Sequence, residues 1–258
     1  MTMNLPVRVI RSGHAEVRIF SDTTTLNRAA ADEFIRAAGE GIARRDCFTV
    51  ALSGGTTPRA VYSLLATDTL NGKNTINWSK IHIFFSDDRH VSPYDEQSNF
   101  RMAKEAMLAH VPIPGENVHR IRTELEAHQA ADEYNAELES FFHPPPAQLP
   151  RFDLIMLGLG TDGHTASLFP GTPALEERIR LVNANWVDKF KAYRITFTLP
   201  LINAADEVMF LVAGKEKAVM LQRVMRGDTS AGKLPFQLIR AETGRLLWIV
   251  DTAAAELW

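Results

Sequence analysis

The stretch FTVALSGGTTP at residues 48–58 places a short apolar run directly before a glycine-rich turn and a proline. The run Phe48–Leu52 carries no charge, which is typical of a strand buried on both faces. Pro58 fits the first turn of a helix, because the N–H that proline lacks has no helical partner there. The sequence therefore predicts a buried strand, a tight turn and a helix in immediate succession.

The same alternation continues along the chain. Further apolar runs predict strands at residues 81–85, 152–157, 195–199, 207–212 and 246–250. Helical patterns occur at residues 25–45, 58–65, 98–110, 124–142 and 216–225. Short apolar strands separated by helices indicate an α/β fold with a parallel sheet covered on both faces. In such sheets ligands bind beyond the carboxyl ends of the strands, so the loops that follow strands are the places to look for a site.

The amino-acid composition limits the ligands and the cellular compartment that we expect for this protein. Hydrophobic residues make up 45% of the 258 residues, and 28 basic and 31 acidic residues give a net charge of −3. This balance argues against a broad nucleic-acid-binding face but not against a small anionic ligand. The single cysteine, Cys47, cannot form an intrachain disulfide and fits a reducing compartment. Because residues 1–10 lack a signal-peptide pattern and the apolar runs are too short for a bilayer, we expect a cytoplasmic protein without membrane contact.

Three prolines at residues 144–146 are the nearest approach to a linker. The alternating pattern is alike on both sides of them. We therefore interpret this segment as a rigid surface loop and expect residues 1–258 to form a single domain, although a division into two halves stays open at this point. The pattern does not predict whether the chain is a monomer or a homodimer.

Two loops after predicted strands could carry chemistry. In Ser53–Pro58, Gly54 and Gly55 allow close backbone approach, and the following helix N-terminus favours a phosphate. The same loop is also consistent with a tight turn in which a threonine caps the helix. The second loop contains Asp87, Asp88 and Arg89, which indicate either a ligand site or a solvated charged loop. Its spacing matches no metal-binding signature.

A third loop, GLGTDGHT at residues 158–165, contains a literal G-x-G-x-x-G after a strand. Pro170 and Gly171 interrupt any following helix, and no acidic residue ends a strand about twenty positions later, so a dinucleotide site is not favoured. We interpret the glycines as thinning the backbone so that Asp162 and His164 reach a ligand. Histidine is the side chain best suited to proton transfer near neutral pH. A capped turn with an incidental histidine is the alternative.

Two cations complete the candidate set. Arg194 begins an apolar strand, and Lys217 lies near the start of a helix that follows another strand. Either could be a surface charge, but both together with the Ser-Gly-Gly-Thr loop could form a phosphate site. No G-x-S-x-G or H-E-x-x-H motif occurs, and the eight histidines show no zinc spacing.

Four segments in this order resemble 6-phosphogluconolactonase of the glucosamine-6-phosphate isomerase/6-phosphogluconolactonase superfamily. They are SGGTTP at 53–58, DDR at 87–89 with residues 95–99 behind it, GTDGHTASLFP at 160–170, and Arg194 with residues 214–218. The resemblance implies a Rossmann-like three-layer α/β sandwich, shared with glucosamine-6-phosphate deaminase, and no metal or organic cofactor. It also implies hydrolysis of 6-phospho-D-glucono-1,5-lactone, the second step of the oxidative pentose phosphate pathway. The family usually has Asp-Glu-Arg where this chain has Asp87-Asp88-Arg89, which leaves the role of Asp88 open.

On this basis we predict His164 as general base and acid, with Asp162 orienting or stabilising its imidazole. The turn at 158–163 is expected to supply backbone N–H groups to an oxyanion. Substrate-binding roles are predicted for Gly54, Gly55, Thr56, Asp87, Arg89, Arg194 and Lys217. Two other functions stay open: an amino-sugar-phosphate isomerase/deaminase and a non-catalytic sugar-phosphate sensor. The deaminase normally carries a glutamate five positions after the histidine, where this chain has Phe169.

Overall fold

The computed structural model describes residues 5–13, 15–73, 76–227 and 234–258. These residues form ten strands: β1 (Arg8–Ser12), β2 (Ala15–Phe20), β3 (Phe48–Leu52), β4 (Ile81–Phe85), β5 (Asp87–Arg89), β6 (Leu154–Gly158), β7 (Val182–Val187), β8 (Ala192–Phe197), β9 (Glu207–Val212) and β10 (Arg245–Asp251). The α-helices of the same residues are α1 (Thr23–Arg45), α2 (Thr56–Leu70), α3 (Asn99–Ala103), α4 (Ala127–Phe142), α5 (Leu199–Asn203) and α6 (Ala218–Met225).

The larger sheet has the strand order β1-β2-β10-β9-β6-β3-β4. All its neighbours are parallel except β1, which pairs antiparallel with β2 at the edge. Every residue of β3 and β9 is buried, including Thr49 and Glu207, as expected for mainly apolar strands covered on both faces. The mostly parallel α/β sheet is therefore confirmed, and the predicted bounds at 48–52, 81–85 and 207–212 match the strands.

One predicted strand does not belong to this sheet. The run at 195–199 was expected to extend the parallel sheet, but β8 begins at Ala192 and pairs antiparallel with β7 and β5 in a second sheet of order β5-β8-β7. The expectation was wrong because apolar content shows that a strand is buried but not which strand it pairs with. Asp87–Arg89, expected in a loop, is β5, since three charged residues carry no strand pattern. The sequence reading also missed β1, β2 and β7.

Helix bounds differ from the predictions mainly at their ends. The helix expected at 98–110 is split into α3 and a single π-helical turn, Lys104–Leu108. The prolines at 144–146 lie between α4 and β6, outside any regular element, as predicted. None of the helices that the structure describes combines the length and the apolar character needed to cross a membrane.

The strand order creates one crevice that is suited to a ligand. From β3 the chain passes to β4 at the edge of the sheet, whereas β6 lies on the opposite side of β3. Loops that leave two adjacent parallel strands toward opposite sides open a gap at their carboxyl ends. The loops after β3 and β6, at residues 53–55 and 159–172, border this gap. The fold thus brings the first and third candidate loops together.

Candidate active site

A cleft of about 240 Å³ lies at the carboxyl ends of β3, β6 and β9. Its lining includes eight of the nine predicted site residues: Gly54, Gly55, Thr56, Asp87, Arg89, His164, Arg194 and Lys217. The ninth, Asp162, is hydrogen-bonded to His164. Positions spread over more than 160 residues of sequence therefore meet in one cleft.

The loop after β3 presents an open helix N-terminus to this cleft. Gly55 is the N-cap of α2, with φ of 113°, and no side chain caps the helix. The first N–H groups of α2 consequently have no intrahelical acceptor and favour an anion. The buried hydroxyl of Tyr62 accepts from Ser53 N at 3.1 Å and donates to Ser53 O at 3.0 Å, which holds the start of the loop in place.

Two arginines face each other at the cleft. Arg89 and Arg194 are direct partners in the antiparallel pairing of β5 and β8. Arg194 is 9% exposed, its Nε has no hydrogen-bond partner, and burial together with Arg89 lowers the pKa of its guanidinium. Within the described residues neither arginine forms an ion pair with a carboxylate, and the same holds for Lys217. Like charges placed opposite each other are unfavourable alone, so this arrangement favours a bound anion.

His164, which lines the cleft, forms a hydrogen-bonded pair with Asp162. Nδ1 of His164 lies 2.5 Å from Oδ1 of Asp162. This bond, outweighing partial burial and helped by Lys189, holds the pKa of Asp162 well below its usual range. An ionised carboxylate only accepts hydrogen bonds, so Nδ1 carries the proton and Nε2 of the neutral ring keeps its lone pair. The imidazole also stacks on Phe169, with ring centroids 4.3 Å apart.

The glycines of the third loop leave room for this pair. A Cβ at Gly160 would overlap the imidazole of His164 and approach the carboxylate of Asp162. Gly163 adopts φ of +83°, a conformation that side-chain-bearing residues rarely take. The N–H groups of Gly160 and Gly163 donate to His164 O at 2.8 Å and to Gly160 O at 3.0 Å. These two groups are therefore used within the loop, and the predicted oxyanion role does not extend to them.

Asp87 lines the cleft and is held there by two hydrogen bonds. Its Oδ2 accepts from the hydroxyl of Ser167 at 2.6 Å, and its carbonyl accepts from Nδ2 of Asn99 at 2.9 Å. Ser167 and Asn99 both line the cleft, yet sequence reasoning did not single them out as site residues. The signal was present, since both lie inside the segments quoted for the resemblance. Which of their neighbours they contact depends on the pairing of β5 with β8.

Comparisons with known proteins show the family of this chain. A family model described as glucosamine-6-phosphate isomerases/6-phosphogluconolactonase matches residues 21–248. The chain belongs to this family. A curated 6-phosphogluconolactonase of Nostoc sp. is 41% identical over 244 residues, covering 93% of this chain and 98% of the relative. One of Synechocystis sp. is 43% identical over 218 residues, covering 84% and 87%.

Solved structures of the family have the same fold. The 6-phosphogluconolactonase from Trypanosoma cruzi superposes with a TM-score of 0.81 at 28% identity, covering 93% of this chain and 95% of that one. The enzyme from Thermotoga maritima gives a TM-score of 0.78 at 30% identity, covering 92% and 99%. The predicted superfamily and fold class are thereby confirmed.

Asp88 stands where the resemblance implies a glutamate. In this chain its carboxylate is a buried hydrogen-bond acceptor that holds neighbouring backbone in place. Its carboxylate accepts from the backbone N–H groups of Arg89, Asn99 and Phe100 at 2.7–3.1 Å and from the hydroxyl of Ser98 at 3.2 Å. The side chain is almost fully buried, and this burial raises the pKa of Asp88 to about 6 despite those bonds. Asp88 does not line the cleft. It fastens the start of α3, and with it Asn99, to β5.

No metal centre is evident in the part of the chain that the structure describes: no three His, Cys, Asp or Glu side chains there could hold an ion. The expectation that the protein needs no metal or organic cofactor stays a prediction.

Replacing Asp88 by alanine should lower the free energy of unfolding by about 1–3 kcal/mol, because buried N–H donors of α3 lose their acceptor. Urea denaturation at pH 7 measures this. Asp32→Ala, which removes an exposed carboxylate of α1, is the matched control and should change stability by less than about 0.5 kcal/mol. Equal stability of the two variants would contradict the anchoring role.

Gly160→Ala should leave the chain folded but displace the imidazole, because the added methyl group occupies its space. We expect the hydrolysis of 6-phospho-D-glucono-1,5-lactone, the substrate that the resemblance implies, to slow by about 10²-fold, as for a misplaced catalytic group. Gly39→Ala in α1, where an added Cβ meets nothing within 4 Å, serves as the control and should retain full activity. Normal turnover by Gly160→Ala would show that the ring tolerates displacement.

Proposed function

We propose that this chain hydrolyses 6-phospho-D-glucono-1,5-lactone to 6-phospho-D-gluconate. The observation that carries this is one cleft with two features: three cations, Arg89, Arg194 and Lys217, that form no ion pair within the described residues, and the hydrogen-bonded pair His164–Asp162. A phosphosugar lactone needs both, an anchor for its phosphate and a base beside its ester carbon. The curated relatives at 41% and 43% identity carry the name of this activity.

In the first chemical step, Nε2 of His164 removes a proton from a water molecule, which attacks the lactone carbonyl carbon. A C–O bond forms and the carbonyl oxygen becomes negatively charged. Asp162 keeps the proton on Nδ1 and stabilises the imidazolium that results. A positioned base of this kind contributes about 10²–10⁴-fold to the rate.

In the second step, the tetrahedral intermediate collapses and the bond between the carbonyl carbon and the ring oxygen breaks. The imidazolium of His164 returns its proton to the ring oxygen, which becomes the 5-hydroxyl of the product. The new carboxylic acid ionises in water. One water is consumed and one proton is released overall, and the side chains end as they began.

Binding of the substrate's phosphate holds the lactone ring in place for this attack. We assign the phosphate to the N–H groups of Gly55 and Thr56 at the start of α2, together with Arg194 and Lys217. Gly54 is assigned to a point where the backbone itself comes close to the substrate. A side chain does not fit there, since a Cβ would overlap the amide of Asn99. Arg89 and Asp87, which also line the cleft, are assigned to substrate binding next to this anchor, with Asp87 facing the hydroxyl groups of the sugar.

The isomerase/deaminase alternative is less well supported. Phe169 stands where the deaminase pattern has its glutamate, and its ring covers the face of His164. The sensor alternative would leave the proton-transfer pair without a use. Release of ammonia from glucosamine 6-phosphate would favour the isomerase/deaminase. A thermal shift with 6-phosphogluconate in the absence of lactone turnover would favour the sensor.

The cytoplasm remains the proposed compartment, because sugar phosphates do not cross membranes unaided and Cys47 has no second cysteine to pair with. A monomer or a homodimer is the proposed state, acting on a small molecule without a nucleic-acid partner.

His164→Ala should reduce kcat by about 10²–10⁴-fold, because it removes the proposed base. The lactone is generated in the assay from glucose 6-phosphate, and its spontaneous hydrolysis is subtracted. His110→Ala, which removes an exposed histidine outside the cleft, should keep wild-type turnover. Near wild-type kcat for His164→Ala would exclude the assigned role.

Arg194→Ala should raise KM for the phosphorylated lactone by about 10- to 150-fold, the equivalent of one charge-assisted contact. The change should be much smaller with glucono-1,5-lactone, which lacks the phosphate. Arg11→Ala, an exposed arginine of β1, is the control and should leave both KM values unchanged. An equal effect on the two lactones would remove Arg194 from the phosphate anchor.

A further inference from the structure

The turn between β7 and β8 contacts both Asp162 and Arg194. Nζ of Lys189 donates to Oδ2 of Asp162 at 2.9 Å. The next residue, Phe190, lies against the guanidinium of Arg194, 4.9 Å from the ring centroid, and packs edge-on against Phe169 at 5.8 Å. Arg194 itself follows on β8. A single hairpin thus carries one phosphate-binding residue and contacts the proton-transfer pair.

The carboxylate of Asp162 is consequently shared between two side-chain donors, and the backbone N–H of His164 also lies 3.4 Å from Oδ1. Oδ1 faces Nδ1 of His164 and Oδ2 faces the ammonium of Lys189. Within the described residues these two are the side-chain ion pairs that Asp162 forms. The ammonium therefore fixes the rotation of the carboxylate about its Cβ–Cγ bond. It also offsets part of the negative charge that would otherwise favour the imidazolium.

Ordinary surface ion pairs do little for stability, and Lys189 is largely exposed. A stabilising role would not explain why this pair forms on the one carboxylate that contacts the proposed base. Its effect on the charge balance at the imidazole does not depend on a gain in stability. A cation one carboxylate away disfavours protonation of the ring and keeps more of it in the neutral form that accepts a proton.

We propose that Lys189 is a positioning residue that acts on His164 through Asp162 and tunes the pH range in which the ring serves as base. This proposal rests on the function proposed above. The other charged groups around the cleft are Asp87, Arg89, Arg194 and Lys217, and substitution of Lys189 leaves all of them in place.

The chain offers a matched control in the same turn. Lys191 is also exposed, and its Nζ lies 3.1 Å from Oδ1 of Asp188 rather than near Asp162. Lys191→Met therefore removes the same charge from the same hairpin without removing the contact to the proton-transfer pair. Lys189→Arg keeps the charge and a donor at the critical position.

The test is an NMR pH titration of the His164 imidazole in histidine-labelled protein, with the His164 signal identified from its loss in His164→Asn. In Lys189→Met the titration midpoint should rise by about half a pH unit, the effect of losing one cation several ångströms away. Lys189→Arg and Lys191→Met should titrate like the wild type. An unchanged midpoint in Lys189→Met, or an equal shift in Lys191→Met, would overturn the proposal.

Turnover supplies a second readout. For Lys189→Met, kcat/KM should fall by about 3-fold on the acid side of the pH profile, the equivalent of that half unit, and return toward the wild-type value on the alkaline side. A loss that is the same at every pH would point to a merely structural tether and would count against the proposal. If the wild-type chain does not hydrolyse the lactone, the proposed function fails, whereas the NMR midpoints still decide the role of Lys189.

Discussion

The antiparallel pairing of β5 with β8 is the constraint on which the site depends. Its three residue pairs set Arg89 opposite Arg194 and Asp87 opposite Thr196. The hydroxyl of Thr196 accepts from Ser167 N at 3.2 Å, and Ser167 in turn donates to Asp87. One short strand pair therefore fixes Arg89 and Arg194 relative to the loop that follows β6. A shift of this register by one residue would turn the arginines away from the cleft.

Several features of the cleft are unfavourable by themselves. Among the residues that the structure describes, the two opposed guanidiniums have no carboxylate partner in an ion pair and Nε of Arg194 is buried without a hydrogen bond, while an uncapped helix N-terminus faces the same cleft. Each arrangement costs free energy when no anion is nearby. In the function proposed above, the substrate phosphate would offset these costs together, which would favour an anionic substrate.

The predictability of the site differs from residue to residue. His164 and Asp162 were predicted for the site because a histidine beside an acid in a glycine-rich turn after a strand suits proton transfer, and the structure joins them by a hydrogen bond at the cleft. Arg194 was predicted for the site although the sheet that carries it was assigned wrongly, because its sequence segment pointed to the phosphate. Asn99, Ser167 and Lys189 were not singled out, since a single polar side chain in a loop carries no local signal of what it contacts. Asp88 could be understood only through the helix that it anchors.

By itself, the sequence determined the alternation of buried strands and helices and the glycine-bearing loops at the strand ends, and it predicted His164 and Asp162 as a proton-transfer pair. These follow from local properties: burial of apolar runs, the conformational freedom of glycine and the chemistry of histidine. Only the tertiary structure decided that Ala192–Phe197 pairs with Asp87–Arg89, and that Lys189 reaches Asp162. Both depend on contacts between segments distant in sequence, whose register is set by packing and hydrogen bonding across strands rather than by the order of residues along any one of them.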